Sequence, residues 1–508
     1  MDIYKAISMR KLYVLNLVFW MVSVNLSVGQ VPGNQLFDNA KIHEIRIVSV
    51  YENLTDTLMS NYLLSFGMNQ FQIRDIPLAP AKLIVDGNAL DTIGIRYKGF
   101  NSWWHSVKKP IKIDINEYKS NQEYDGLKKF NLHNGSGDPS FIRENIDYKI
   151  LRLLGIKAPR TAFAKVFNDT AYIGLYRIVE QIDNTFLDQN FGNHNGNLYK
   201  QQAKGTAGFS LSWLGNRQEA YYQSMSLDNH ENKNDWSGFI HFLDILNNST
   251  EKQFRDSILT VFDVDEYLQV LAFDITVNNI DYYGNSGRNY YLYSHNGIFH
   301  WIPWDYNLTW QEAPGPININ PDDFPLLTKR ILQVPEFYDI FMRKYCRLKP
   351  YFADAFINKL VSDEATAISS YLENDPYQDY PYEAFQKNID AAWMRIPGLK
   401  PYAEQRYADI SKVLETLKVD CSGTGNIPSP DQAIFQLYPL PAKDWVNIGL
   451  FPNQELSVSI FNGYGQMVMS SVLFERGELN VSRLSSGSYI AKVVVGKRVY
   501  SKLLLVSH

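Results

Sequence analysis

A chain of 508 residues that is 45% hydrophobic and 20% charged is long enough for several domains, and its composition excludes a disordered protein. A net charge of -5 with an isoelectric point near 6.0 excludes a general polyanion binder, which needs a basic stripe, so no nucleic-acid partner is expected. The aromatic content is high, with 33 Tyr, 28 Phe and 10 Trp.

From Met9 the chain reads MRKLYVLNLVFWMVSVNLSVGQ. Arg10 and Lys11 precede an apolar run, and the small residues Ser27 and Gly29 stand before Gln30, the pattern of a signal peptide over residues 1–29. Met9 is a second possible start. Asn16 and Asn25 interrupt the run, and no later segment is apolar for long enough to span a bilayer, so no transmembrane helix is expected once the signal is removed.

Residues 36–180 alternate in short apolar runs: EIRIVSV, AKLIVDG, DTIGIRYKG, KPIKIDI, TAFAKVF and AYIGLYRIV all read as strands. One helix interrupts them, DPSFIRENIDYKILRLLG, with Asp138 as cap, Pro139 at its start and Gly155 at its end. Residues 183–420 shift to helical spacing in WSGFIHFLDILNN, VDEYLQVLAFDITVNNI, PEFYDIFMRKYCRLKPYFADAFINKLV and ADISKVLETLK. Two strand-like pieces, NYYLYS and IFHWIPWD, break that pattern. Residues 421–435 read as a linker rich in Gly, Ser and Pro, and residues 436–508 alternate again as a small all-β sandwich. The two cysteines, Cys346 and Cys421, are either separate thiols or a bridge worth about 4 kcal/mol.

In FHWIPWDYNLTW a single acid, Asp305, stands among aromatics. A carboxylate in apolar company loses hydration, so it requires a partner: a turn, an arginine or a metal ion. A hairpin of the two strand-like pieces brings Asn289 and Asp305 together at strand ends, with Asp281 near its mouth and Asn285 as a rival to Asn289. Two hard oxygen donors suit magnesium, which takes one or two carboxylates and leaves room for phosphates. A third acid free of the metal can accept a hydroxyl proton. Upstream, KKPIKIDI supplies Lys109 and Lys112, on opposite faces of an ideal strand, and the helix supplies Glu144. A strand lysine, a helix glutamate and downstream Asp, Asn and Asp form the parts list of a protein kinase. His105, His133 and His300 show no metal-ligand spacing and are read as structural, and Trp103, Trp104, Trp301, Trp304 and Trp310 as core or interface rather than sugar-stacking residues.

The stretches RYKGFNSWW, KKPIKIDINEY, GLKKFNLHN, DPSFIRENIDYKILRLLG, YIGLYRIVEQID, GNLYK and IPWDYN resemble the spore coat protein H (CotH) kinase-like family. The resemblance implies an α+β fold, a two-lobed atypical protein-kinase-like domain over residues 36–420 with its lobes meeting near VEQID. It implies phosphate transfer from ATP, with Mg2+ or Mn2+, to hydroxyls of a surface or secreted protein substrate. Asp281 then matches the catalytic acid, Asn289 and Asp305 the metal ligands, and Lys112, with Lys109 nearby, the phosphate lysine held by Glu144. Glu180 and Gln181 flank the adenine. Phe100 interrupts the family's basic, glycine, asparagine and serine run. Residues 436–508 are similar to the type IX secretion C-terminal sorting domain, which implies the type IX secretion machinery as partner and export through the periplasm to the outer surface. The alternative is a catalytically inactive kinase-fold adhesion or binding protein.

Overall fold

Alternation between residues 42 and 180 builds seven strands: β1 (Ile42–Ser49), β2 (Ala79–Val85), β3 (Asn88–Tyr97), β4 (Ile111–Asp114), β5 (Lys129–His133), β6 (Thr161–Asn168) and β7 (Ala171–Glu180). In this computed structural model they close a barrel in the order β1-β2-β3-β4-β5-β7-β6, with a parallel seam between β1 and β6. The structure describes residues 31–38, 41–65, 76–201, 211–422, 436–438, 441–449, 455–462, 466–474, 477–495 and 498–507. The expected signal peptide and most of the expected linker lie outside these residues.

Period-two alternation divides the barrel strands into two faces. Ile45, Leu83, Ile95, Ile113, Leu132 and Ile178 fill the interior. The other face carries Arg96 beside Lys112, Lys112 beside Asn131, and His133 beside Arg177, so one outer patch of the barrel is strongly basic.

The single helix expected here has company. A helix at Leu54–Leu64 buries Leu54, Leu58 and Tyr62, four residues apart, against β2 and β3, and a one-turn helix follows at Asn101–Trp104. The helix expected from Pro139 starts at Arg143 instead. The Asp138 carboxylate accepts from the N–H of Ser140 (3.0 Å) and of Arg143 (2.9 Å), so it caps the first turn from five residues upstream. Gly155, at φ 87°, ends the helix as expected.

A second sheet pairs β8 (Leu198–Gln201), β9 (Met225–Leu227), β10 (Tyr290–His295) and β11 (Ile298–Pro303) in the order β11-β10-β8-β9. The expected hairpin is β10–β11, turned by Asn296 and Gly297 at φ 51° and 83°, the left-handed pair that a two-residue turn demands. Helices Ser237–Asn248, Val264–Thr276, Pro335–Leu348, Asp354–Glu373 and Leu399–Thr416 pack with this sheet into one large core. The long PEFYDIF run breaks at Lys349–Phe352, where Pro350 cannot donate the helical hydrogen bond.

Beyond these lie β12 (Gln436–Tyr438), β13 (Trp445–Gly449), β14 (Glu455–Phe461), β15 (Met467–Phe474), β16 (Gly477–Asn480), β17 (Gly487–Val495) and β18 (Arg498–Val506). They form sheets β12-β13-β16 and β15-β14-β17-β18, and Val446, Leu479, Val458, Ile460, Val493 and Leu504 from both enter one buried cluster. The whole is α+β with a β-rich C-terminal region. Among the described residues no helix is long and apolar enough to cross a membrane.

Cys346 and Cys421 form a disulfide, with Cα atoms 5.5 Å apart across 75 residues of chain. Closing a loop of that length is worth about 4 kcal/mol on the chain-entropy account. Cys346→Ser with Cys421→Ser is therefore expected to lower the thermal midpoint of the helical part and to abolish its sensitivity to reductant. Scanning calorimetry with and without dithiothreitol checks this, and equal midpoints for wild type and variant refute it.

Candidate active site

The open end of the β10–β11 hairpin gathers three of the expected residues. Asp281 lies in a turn after the helix Val264–Thr276, Asn289 directly precedes β10, and Asp305 follows β11 by two residues. The Asn289 amide Nδ2 donates to the Asp281 backbone carbonyl (2.7 Å) and to Asp281 Oδ2 (3.0 Å), which leaves its Oδ1 for another ligand. Its rival Asn285 donates to the Asn279 carbonyl instead. Asn289 and Asp305 both hold positive φ, 62° and 63°, in the sparsely populated left-handed region. That backbone is fixed by two bonds: Trp304 N–H to the Asn289 carbonyl (3.2 Å) and Asp305 N–H to the Tyr148 hydroxyl (2.9 Å).

The basic face of the barrel meets this end of the hairpin. Lys98, just past β3, places its ammonium 2.7 Å from His133 Nε2 and 5.2 Å from the centre of the Trp304 ring. His133 Nδ1 lies 3.0 Å from Glu144 Oε2, which also accepts from Arg177 Nη1 at 2.9 Å. Lysine, imidazole, carboxylate and guanidinium thus form a continuous chain from a partly exposed end at Lys98 to a fully buried end at Arg177. Burial opposes the charge on Glu144, but His133, Arg177 and Lys98 more than offset it and hold its carboxyl at about 2. Burial, with the nearby Lys98 charge, lowers His133, whose Nδ1 faces the Glu144 carboxylate and whose Nε2 faces the Lys98 ammonium.

The remaining expected residues sit as follows. Glu144 does not pair with Lys112; its partners are Arg177 and His133, because β5 and β7 lie between β4 and the helix in the barrel order. Lys112 is partly buried, and burial with its neighbours Arg96, Lys200 and Lys129 draws its ammonium down to about 7. Lys109 points away, donating to the carbonyls of Trp103 (2.6 Å) and Ser106 (2.7 Å). Glu180 is engaged by Arg160 through backbone and guanidinium, and Gln181 bridges Asn131 and the Ile182 carbonyl. Lys98, Lys200 and His133 are additions to the expected set. Lys98 is the basic residue of the KGFNSWW run, so a signal for it existed; His133 had none, since its partners are far away in sequence.

Three acids converge here with too little positive charge. Asp305 carries no salt bridge within 4.0 Å among the described residues, and burial, reinforced by Glu144 and Asp281, pushes its carboxyl well up despite Lys98. Burial correspondingly drags the Lys98 ammonium down, with Asp305 opposing. Glu144 Oε1 is buried without a hydrogen-bond partner. His133, Glu144 and Asp305 each bring a ligand atom within 4.8 Å of the others. The Asp305 carboxylate and the amide oxygen of Asn289, both on partly exposed residues, are hard oxygen donors of the kind a magnesium or manganese ion takes, whereas Glu144 is sealed from solvent.

Residues 95–410 match the family model described as CotH kinase protein, and residues 436–507 match that of a secretion system C-terminal sorting domain. The inner spore coat protein H of Bacillus subtilis (strain 168) is 26% identical over 334 residues, spanning 64% of this chain and 89% of that protein. A structure of the Shewanella oneidensis MR-1 toxin–antitoxin system HipA, HipB with operator DNA aligns over 74% of each chain at 11% identity, with a TM-score of 0.25 too low to carry an argument.

Asp305→Asn is expected to raise the melting temperature of the metal-free protein at pH 8. An acid whose folded-state value is raised binds its proton more readily when folded, so stability falls as pH climbs from the ordinary carboxylate range through the raised value. The variant's advantage should shrink on acidification and vanish below about pH 4, where wild type is neutral in both states. Equal melting at pH 8 refutes the charge stress.

Proposed function

The chain belongs to the CotH kinase family, and from that premise we propose that it is a secreted or surface-attached protein kinase, transferring the terminal phosphoryl group of ATP to protein hydroxyls. The sorting-domain match implies secretion or export to the outer surface by the type IX machinery, so the acceptor is sought among exported proteins. The observation that supports this reading is the meeting of Asp281, Asn289 and Asp305 with Lys98 of the barrel; on this reading barrel and hairpin sheet act as two lobes.

Asp305 and Asn289 Oδ1 would hold a divalent ion, which would supply positive charge against the nucleotide phosphates. Asp281, steered by the Asn289 amide, accepts the acceptor's hydroxyl proton. Lys98 and Lys112 meet phosphate charge from the barrel side, and a polyanion there restores both ammoniums to their charged state. Glu144 and His133 position Lys98 without touching substrate, the task a helix glutamate performs directly in ordinary kinases. Backbone groups of residues 179–183 border the adenine, with Glu180 and Gln181 as neighbours.

Asp305→Ala should abolish magnesium- or manganese-dependent ATP binding in isothermal titration. Asp281→Ala should keep that binding and lose phosphate transfer to exported proteins by about 100-fold or more. ATP binding that is indifferent to both metal and Asp305 sinks this reading and favours an inactive kinase-fold binding protein.

A further inference from the structure

At the opposite end of β11 from Asp305 a separate cluster closes on itself. Asp263 caps the helix Val264–Thr276: its Oδ1 accepts the Glu266 N–H at 2.9 Å, which leaves Oδ2, 3.4 Å from His300 Nδ1. Glu266 Oε1 takes the Lys157 ammonium at 3.1 Å, which leaves Oε2, 2.7 Å from the same nitrogen. Each carboxylate therefore spends one oxygen on a supporting bond and turns the other toward His300. The three free atoms lie within 4.8 Å of one another.

We propose that Asp263, Glu266 and His300 form a transition-metal site of the zinc class, distinct from the phosphate-facing acids and independent of the kinase reading. One imidazole nitrogen with two carboxylate oxygens suits zinc and its neighbours better than magnesium or calcium, which take oxygen donors. With bonds of about 2.0–2.2 Å, tetrahedral ligand atoms stand about 3.3–3.5 Å apart; Asp263 Oδ2 is already 3.4 Å from His300 Nδ1, and Glu266 Oε2, now hydrogen-bonded to that nitrogen at 2.7 Å, has to draw back to admit an ion. The supporting bonds from Lys157 and the Glu266 N–H are those that orient carboxylate ligands. Side-chain exposure falls from 31% at Asp263 to 14% at His300 and 6% at Glu266, so the site opens to solvent on one side, where water completes the coordination. A further donor stands near: His295, its ring 6.1 Å from that of His300, has a buried Nδ1 without a hydrogen-bond partner.

The backbone makes the cluster rigid before any ion arrives. Asp263 N–H donates to the Phe299 carbonyl (2.9 Å) and Phe299 N–H to the Val261 carbonyl (2.7 Å), so helix start and strand start move together. An ion there clips β11 to the helix. Three residues of strand, about 10 Å, separate His300 from Pro303, and Asp305 lies beyond.

The test uses the full chain, stripped with chelator, dialysed against Zn2+ and measured for bound metal by mass spectrometry, with Co2+ absorption as a geometric probe. Wild type and Asp305→Ala should each retain one equivalent of zinc at this site. Asp263→Asn, which preserves the helix cap, and His300→Gln should each weaken retention at least 10-fold and lose the Co2+ bands while circular dichroism stays native. Zinc retained equally by wild type and both variants overturns the proposal, as does no retention by wild type or loss in Asp305→Ala alone. In those cases the contacts of His300 with the two acids account for the cluster.

Discussion

A guanidinium sealed from solvent governs how the barrel and the helix Arg143–Leu153 face each other. Arg177 stands on β7 and is fully buried, so its charge must be met by protein. It is met by Glu144 Oε2, by Asn145 Oδ1 at 2.5 Å and by the Phe141 carbonyl at 2.5 Å, all on the helix or its approach. Leaving such a charge unpaired costs about 3–5 kcal/mol, so the helix has little freedom to roll on the barrel. Once that angle is set, the next turns of the helix reach the hairpin: Tyr148 takes the Asp305 N–H, and Asp147 accepts from Trp310 Nε1 (2.8 Å) and Thr309 Oγ1 (2.5 Å). One buried ion pair thus positions an acid 128 residues further along the chain.

The same chain of contacts runs from fully buried groups to partly open ones. Arg177 and Glu144 are inaccessible, His133 is nearly so, and Lys98, Lys112, Asp281, Asn289 and Asp305 are all partly open. Charges at the buried end are paired, and those at the open end are not: Lys98 and Asp305 are both displaced toward neutrality. A fold under no functional demand would have paired or removed them, because unpaired desolvated charge costs stability. On the proposed reading, bound phosphate and its cation would offset that cost.

How far the sequence revealed this depends on distance along the chain. The hairpin was legible because its signals are local: alternating aromatics on either side of Asn296 and Gly297, and an acid left over at the strand end. Asn289 was recoverable for the same reason, sitting eight residues from the acid it holds. The lysine was harder. Period-two reasoning put Lys112 on one strand face but was silent on which strands flank β4, and β5 and β7 prove to separate it from Glu144. His133 was read as structural because metal-ligand spacing was sought nearby; its partners are Lys98, 35 residues upstream, and Glu144, 11 downstream. The helix start slipped from Pro139 to Arg143 because Asp138 caps from outside the first turn, through a loop in which Phe141 takes φ 59°.

Export places a further demand on the fold, and the disulfide answers it. Cys421 follows the helix Leu399–Thr416 and stands between the two matched regions. The bridge fastens this end of the chain to the helix Pro335–Leu348, which packs on the helix carrying Asp265 and Glu266 and bonds to it through Lys344 and Asp265. Fraying from the C-terminal side is therefore stopped at the core before it reaches Asp281 and the hairpin. Such bridges form and persist chiefly in oxidising compartments, so the disulfide accords with the export that the sorting-domain match implies.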